Sequence, residues 1–320
     1  MVAVGCNGST ADQANRARVL LGDGAGGFTL DPVFPDTHHF YGFETADLDG
    51  DGLDDLVVRG HFQQVPEHPT FSIVMNRGDA GWEVMASPFD GFADAIGVFD
   101  ITGDDLVDVY AVLGTDVGRV YPGDGMGGVG APFGDNAVGV DPGTELDVAD
   151  VTGDGRLDIT IADSGIFGIW GYIFRNDAGA LVDNYSPFPA LRQRVSLADL
   201  NDNGLLDALV TEFDGASAFR NDGDGTFTLM QALPATDGAD GIAAADFDDD
   251  GLVDAIVIVE EQALLMRGLG GFDFEQVGDA QVGSGPSVFR HIELGDFNED
   301  GVPDALVSSH GTAVLLLSDP

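Results

Sequence analysis

Six stretches of this sequence place oxygen-bearing side chains at the same four positions. They begin at Asp47, Asp100, Asp150, Asp199, Asp246 and Asp296, and read DLDGDGLDD, DITGDDLVD, DVTGDGRLD, DLNDNGLLD, DFDDDGLVD and DFNEDGVPD. Positions 1, 3, 5 and 9 are Asp47, Asp49, Asp51 and Asp55, then Asp100, Thr102, Asp104 and Asp108, then Asp150, Thr152, Asp154 and Asp158. The remaining copies supply Asp199, Asn201, Asn203 and Asp207, then Asp246, Asp248, Asp250 and Asp254, then Asp296, Asn298, Asp300 and Asp304. Alternate residues of a tight loop can converge on one point, and Ca²⁺ takes roughly six to eight oxygen ligands at about 2.3–2.6 Å. Glycine at position 6, replaced only by Asp105, supplies a sharp turn. The chemistry these residues offer is ligation of a hard cation, with up to six Ca²⁺ per chain.

Turn chemistry alone accounts for Asp and Gly, but not for four oxygen positions kept in register through six copies. Clustered carboxylates repel one another unless a cation neutralises them. The copies differ in charge. Those at Asp47 and Asp246 have four Asp, whereas that at Asp199 has two Asp and two Asn. Charge count tunes Ca²⁺ affinity, so the Asp246 loop is expected to bind more tightly than the Asp199 loop. Thr102, Thr152 and Asp105 mark two further weak copies. An EF-hand would need Glu at the twelfth position and flanking helices. The twelfth residues here are Val58, Ala111, Ile161, Val210, Val257 and Val307, in strand-like runs.

Composition narrows the function further. Twelve basic residues, all Arg, stand against 56 acidic ones, of which 46 are Asp, for a net charge of −44. Such a field repels phosphate, which excludes nucleic acid and anionic membranes as direct partners. No apolar run approaches the roughly 18 residues of a transmembrane helix. One cysteine excludes an internal disulfide framework and a Cys-based zinc site. No GxSxG, HExxH or CxxC occurs, and GDGAGG at 22–27 lacks the Lys and helix of a phosphate loop. No catalytic constellation is visible, so the chain is expected not to be an enzyme.

The motif recurs at intervals of 53, 50, 49, 47 and 50 residues. A short apolar run (strand A) enters each loop and a second (strand B) leaves it. A third run (strand C) ends in a Gly/Asp/Asn turn, and strand D restarts at Phe28, Trp82, Val129, Leu181, Phe227 or Phe272. Four short strands per repeat with no helical periodicity describe an all-β fold, a β-propeller of four-stranded antiparallel blades. Residues 2–5 read as a strand B and residues 312–317 as a strand C. The count is then 3, 20 and 3 strands. This favours seven blades with the first and last each one strand short; the alternative is six blades closed by pairing the chain ends. Residues 1–320 are read as one domain.

These repeats resemble the FG-GAP/VCBS repeat, the unit of the integrin α-subunit propeller and of many bacterial surface and secreted proteins. The resemblance implies Ca²⁺ in the loop between strands A and B and an extracellular or cell-surface location. It implies a non-catalytic recognition or adhesion scaffold for carbohydrate or protein ligands. The alternative within the family is the propeller module of a secreted carbohydrate-active lyase or hydrolase.

With the calcium loops on one face, ligand recognition is expected on the opposite face, where the insertions fall. Trp170, Tyr185, Arg192 and Arg194, with Phe167 and Phe188, form an aromatic and cationic group there that suits a sugar ring or an acidic partner. His38, His39, His61 and His68 fall in two neighbouring insertions, a second and weaker candidate. AVGC at residues 3–6 resembles a lipobox ending at Cys6, although a loop cysteine after a strand B fits the repeat better. The chain is expected to be monomeric.

Overall fold

The computed structural model describes residues 2–6, 16–35, 37–62, 71–85, 89, 93–113, 117–137, 145–163, 170–177, 180–185, 191–212, 214–283, 291–309 and 312–318. They form 26 strands and one 3-10 turn, and the strands pair antiparallel. The strands make seven sheets, five of four strands and two of three. The first sheet (Val2–Cys6, Arg16–Gly22, Phe28–Leu30) and the last (His291–Gly295, Asp304–Ser309, Thr312–Leu316) are the short ones, as the strand arithmetic expects. The expected seven blades, with the first and last each one strand short, are corrected to six, of which five are complete four-stranded sheets. Each blade is named below by the first Asp of its loop.

Burial follows strand position. Strand B lies inside its sheet and is covered on both faces, so it reads as an unbroken apolar run. Every residue of Asp108–Leu113 is buried, and in Asp207–Glu212 and Asp254–Val259 only the last is not. Strand D is the outer edge, and Phe227–Ala232 and Phe274–Gln281 are largely exposed. The A–B hairpins share one register. The ninth motif residue pairs with the residue just before the first: Ala46 with Asp55, Phe99 with Asp108, Ala198 with Asp207, Ala245 with Asp254 and Gly295 with Asp304. Every loop is thereby fixed between two paired strand ends.

The chain divides into two compact units. One comprises residues 1–21, 28–148 and 176–182, the other residues 22–27, 149–175 and 183–320. In the first unit one core gathers Val57, Ile73, Met75, Ile96, Val109 and Tyr121, and a second gathers Val19, Leu56, Val58 and Val74 under Phe34 and Trp82. Trp82 donates its indole N–H to Asp31 at 2.8 Å and meets Phe34 edge-on at 5.3 Å. In the second unit Leu209, Ala218, Ile242, Val257, Leu264 and Met266 form the largest described core.

Tyr110 places a polar group in this interior. It lies fully buried in strand B of the Asp100 blade, and its hydroxyl has no hydrogen-bond partner among the described residues. Burial pushes the phenol well above its usual pKa. Gly118 makes the space: a Cβ there would stand 1.9 Å from the Tyr110 oxygen. A buried hydroxyl without a partner costs about 1–3 kcal/mol. Tyr110→Phe is expected to stabilise the chain by about 1 kcal/mol in urea unfolding. A loss of stability would show that the hydroxyl is satisfied.

Two sequence readings are corrected by strand boundaries. His38, His39, Phe40 and Tyr41 are not in a connecting loop; they lie within the strand Thr37–Ala46, where His38 pairs in register with His61 of Asp55–Phe62. Their side chains, and His68 altogether, lie outside the described residues. Trp170 opens the strand Trp170–Asp177 opposite Asp163, Tyr185 closes Ala180–Tyr185, and Arg192 and Arg194 lie in Leu191–Ala198. All four lie in strands, not in connecting loops.

Candidate metal centres and the repeat family

Each loop is built by its own side chains. The position 1 carboxylate gathers the N–H groups of the turn that follows. Asp47 Oδ1 accepts from Gly50 (2.8 Å) and Asp51 (3.1 Å), and its Oδ2 accepts from Gly52 (2.9 Å). Asp100 and Asp150 repeat all three bonds, while Asp199, Asp246 and Asp296 keep those from positions 5 and 6. The position 5 side chain accepts the N–H of position 7, as in Asp51 with Leu53 (2.9 Å) and Asp250 with Leu252 (2.8 Å).

This wrap needs left-handed backbone at two places. Position 6 has φ of 86° at Gly52 and 85° at Gly251, and Asp105 adopts the same conformation at 66°. Asp105 therefore keeps the loop geometry, since Asp tolerates this region better than most side chains do. Position 4 is left-handed as well: Gly50, Gly103, Gly153, Asp202, Asp249 and Glu299 all have φ between 56° and 76°. The spacing argument rested on position 6 and missed position 4.

Position 9 does more than offer a ligand. Its carboxylate is buried in every copy, from 0% exposed at Asp55, Asp158, Asp207 and Asp304 to 5% at Asp254. In all six copies Oδ2 accepts the N–H of position 2: Leu48 (3.0 Å), Ile101 (2.9 Å), Val151 (3.1 Å), Leu200 (3.2 Å), Phe247 (3.0 Å) and Phe297 (2.9 Å). In five copies Oδ1 accepts an N–H from the end of strand C: Asn76 (2.7 Å), Gly123 (2.8 Å), Asn221 (2.8 Å), Gly268 (2.8 Å) and Ser318 (2.8 Å). Position 9 thus ties the A–B loop to the C–D turn of its own blade.

A further tie runs between repeats through the position 2 carbonyl. Within the first unit Leu48 O accepts from Gly127 N–H (3.3 Å) and Ile101 O from the buried Asn176 amide (2.8 Å). Within the second, Val151 O accepts from the buried Asn221 amide (2.8 Å) and Phe297 O from Gly26 N–H (3.3 Å). Asn176 and Asn221 each end a strand C in RND, which was the available sequence signal.

The loops divide by what position 3 does. In the Asp47 and Asp246 loops one oxygen from each of positions 1, 3 and 9 lies within 4.8 Å of the others: Asp47, Asp49 and Asp55, and Asp246, Asp248 and Asp254. In three other copies a neutral position 3 residue donates a hydrogen bond to a carboxylate of its own loop. Thr152 Oγ1 donates to Asp158 (3.1 Å), Asn201 Nδ2 to Asp207 (2.5 Å) and Asn298 Nδ2 to Asp300 (2.8 Å). Such a donor offsets part of the carboxylate repulsion that a cation would otherwise relieve.

The donor set fits a hard cation. All four positions offer oxygen, and Asp49 Oδ1 and Thr102 Oγ1, both at position 3, are buried without a hydrogen-bond partner among the described residues. Ca²⁺ would be held by positions 1, 3, 5 and 9, and when bound it would supply charge neutralisation rather than reactivity. The carboxyls of Asp55, Asp207 and Asp254 are pushed above their usual pKa first by burial. Neighbouring carboxylates add to it: Asp49 and Asp51 at Asp55, Asp199 at Asp207, and Asp248 and Asp250 at Asp254.

The sign of the pH response follows. Between the ordinary carboxylate pKa, about 3.9, and the raised folded value, the folded chain holds more protons than the unfolded one. Without a cation, stability therefore rises as pH falls through the folded value and levels off below the ordinary one. With calcium bound, protons compete with the ion and the response reverses. As pH falls from neutral toward the ordinary carboxylate pKa of about 3.9, the melting temperature is expected to climb in excess EDTA and to drop in saturating calcium. The same direction under both conditions would contradict this arrangement.

Arg77 was not singled out by the sequence reading. Its Nη1 lies 2.5 Å from Asp49 Oδ2 and its Nε 3.1 Å from Glu83 Oε2. Arg156, at position 7 of the Asp150 loop, pairs with Asp154 at 2.6 Å. At the other candidate site, Arg194 is partly buried and its N–H donates to Thr211 Oγ1 at 3.0 Å. The side chains of Trp170, Tyr185 and Arg192, and all of Phe167 and Phe188, lie outside the described residues.

Comparison with known proteins agrees with this architecture. The family model of the FG-GAP-like repeat matches residues 199–257 and 246–307. The loops at Asp199, Asp246 and Asp296 fall in those matches, and the same loop and strand plan recurs in the Asp47, Asp100 and Asp150 blades. Residues 199–307 match the FG-GAP-like repeat, and the sheets of the chain follow the four-stranded blade plan of a β-propeller. No curated protein matches it. Among solved structures it is similar to an Agrocybe aegerita lectin described as specifically recognising non-reducing terminal N-acetylglucosamine. The identity is 18%, covering 97% of this chain and 86% of the lectin, with a TM-score of 0.63. It is also similar to BBS1N, solved in complex with ARL6DN, at 15% identity, 95% and 97% coverage and a TM-score of 0.50. Both likenesses are at the level of the fold. Among the described residues no helix is long and apolar enough to cross a membrane.

Proposed function

We propose that this chain is a calcium-stabilised, non-catalytic recognition scaffold that works at the cell surface or outside the cell. The calcium part rests chiefly on the Asp47 and Asp246 loops, where three carboxylate oxygens lie within 4.8 Å of one another and one belongs to a buried Asp. Like charges so close call for a cation, and a wholly oxygen donor set suits Ca²⁺. Extracellular millimolar calcium suits exposed loops of this kind, and FG-GAP repeats are typical of surface and secreted proteins. The recognition part is supported by the fold shared with a lectin and with a propeller solved in a protein complex.

A carbohydrate or an acidic protein segment is the expected ligand. The strand residues Trp170, Tyr185, Arg192 and Arg194 are the proposed contact, since arginine is scarce in this chain and suits carboxylates. A glycan array that includes N-acetylglucosamine-terminated and acidic glycans, run with calcium and with EDTA, tests the reading. Calcium-dependent binding, lost on Trp170→Ala with Arg194→Ala while the melting curve is kept, is expected. Turnover of a polysaccharide by the purified chain would favour an enzyme module instead.

A further inference from the structure

The Asp47 and Asp246 loops have the same ligand types, yet they differ in one neighbour. The residue following the strand C end that binds position 9 is Arg77 in the Asp47 blade. The corresponding residue is Leu269 after Gly268, Asp222 after Asn221 and Asp124 after Gly123. Arg77 therefore carries positive charge where other repeats have a carboxylate or an apolar side chain. It is held between Asp49 and Glu83, and it covers Asp49, whose side chain is 14% exposed, whereas the equivalent Asp248 is exposed. Asp49 Oδ1 stays buried and without a hydrogen-bond partner among the described residues, so one oxygen of this carboxylate is engaged by arginine and the other is not.

We propose that Arg77 is a resident counter-ion of the Asp47 loop, which stabilises the loop without metal and sets its calcium affinity below that of the Asp246 loop. This rests on the calcium reading above and goes beyond it, because ligand charge alone ranks the two loops as equals. The guanidinium neutralises part of the charge that attracts the ion and opposes a dication only a few ångströms away. Glu83 fixes it in place. The loop is thereby guarded against its own repulsion when calcium is scarce, and filled only at higher calcium.

A charge series at position 77 tests this, read by calcium calorimetry and by melting curves. Arg77→Lys keeps the charge. Arg77→Leu and Arg77→Asp install residues that other repeats of this chain carry at the same place, so the fold accommodates them. Calcium affinity at this loop is expected to be unchanged for Lys, to tighten about tenfold for Leu and to tighten further for Asp. In EDTA the order reverses, with Asp melting lowest. The gain should vanish when Asp51→Ala removes the site. If Leu and Asp leave affinity and metal-free melting at the wild-type values while Asp250→Ala weakens calcium binding, the counter-ion role is wrong and the calcium reading stands. If neither Asp51→Ala nor Asp250→Ala alters calcium binding, the calcium reading itself has failed.

Discussion

Asp254→Ala is expected to destabilise the chain by about 3 kcal/mol even in EDTA, and by more in calcium, where a ligand is lost as well. The carboxylate is buried and accepts N–H bonds from Phe247 (3.0 Å) and Gly268 (2.8 Å). Truncation strands both donors where little water reaches, at about 1–3 kcal/mol each, partly offset by removing a carboxyl whose ionisation burial already opposes. Asp250→Ala makes the contrast. Asp250 is exposed, and its Oδ1 accepts the N–H of Leu252 (2.8 Å). Its loss should cost about 1 kcal/mol or less in EDTA and considerably more in calcium. Chemical denaturation of both variants under the two conditions separates the structural carboxylate from the ligand. Equal costs for both in EDTA would mean that position 9 has no special structural part.

The second large effect is on metal removal. Binding to the folded state alone stabilises by about 2.7 kcal/mol per site at a hundredfold excess over Kd. With even the two carboxylate-rich loops filled, a chelator should lower the melting temperature by many degrees. The loss should be distributed unevenly. The Asp199 loop has Asn201 donating to Asp207 and only two carboxylates among its four positions, so it gains less from a cation than the Asp246 loop. Asn203→Ala should therefore cost less stability in calcium than Asp250→Ala. The reverse order at equal calcium would contradict charge as the basis of the ranking.

The strand plan was legible because it is written in local terms. Fully apolar strand B runs, Asp and Gly at fixed loop positions and a period near 50 residues all act within a few residues of one another, and the register of Asp207 with Ala198 follows from them. Features that depend on distant partners were not legible. That Asp55 accepts from Asn76, 21 residues on, or that Asn176 reaches Ile101, 75 residues back, leaves no trace in spacing. Arg77 was overlooked for the same reason: its meaning comes from Asp49, 28 residues earlier. The histidines were assigned to a loop because they are polar and fall between repeats, yet HHFY is also rich in aromatic residues, which strands accommodate, and the chain uses it to extend a strand A. The end sheets could be counted but not completed from sequence, since a strand missing at each end leaves the number of full blades to the pairing itself.

Site-resolved calcium titration tests the central claim most directly. The N–H groups of Gly52 and Gly251 donate to Asp47 Oδ2 and Asp246 Oδ2, each at 2.9 Å, so an ion drawn to those carboxylates must perturb both amides. In ¹H–¹⁵N spectra of the chelated chain, calcium is expected to shift the Gly251 signal saturably at lower concentration than the Gly52 signal. Amide signals of both glycines that stay fixed through millimolar calcium would contradict metal binding at these loops.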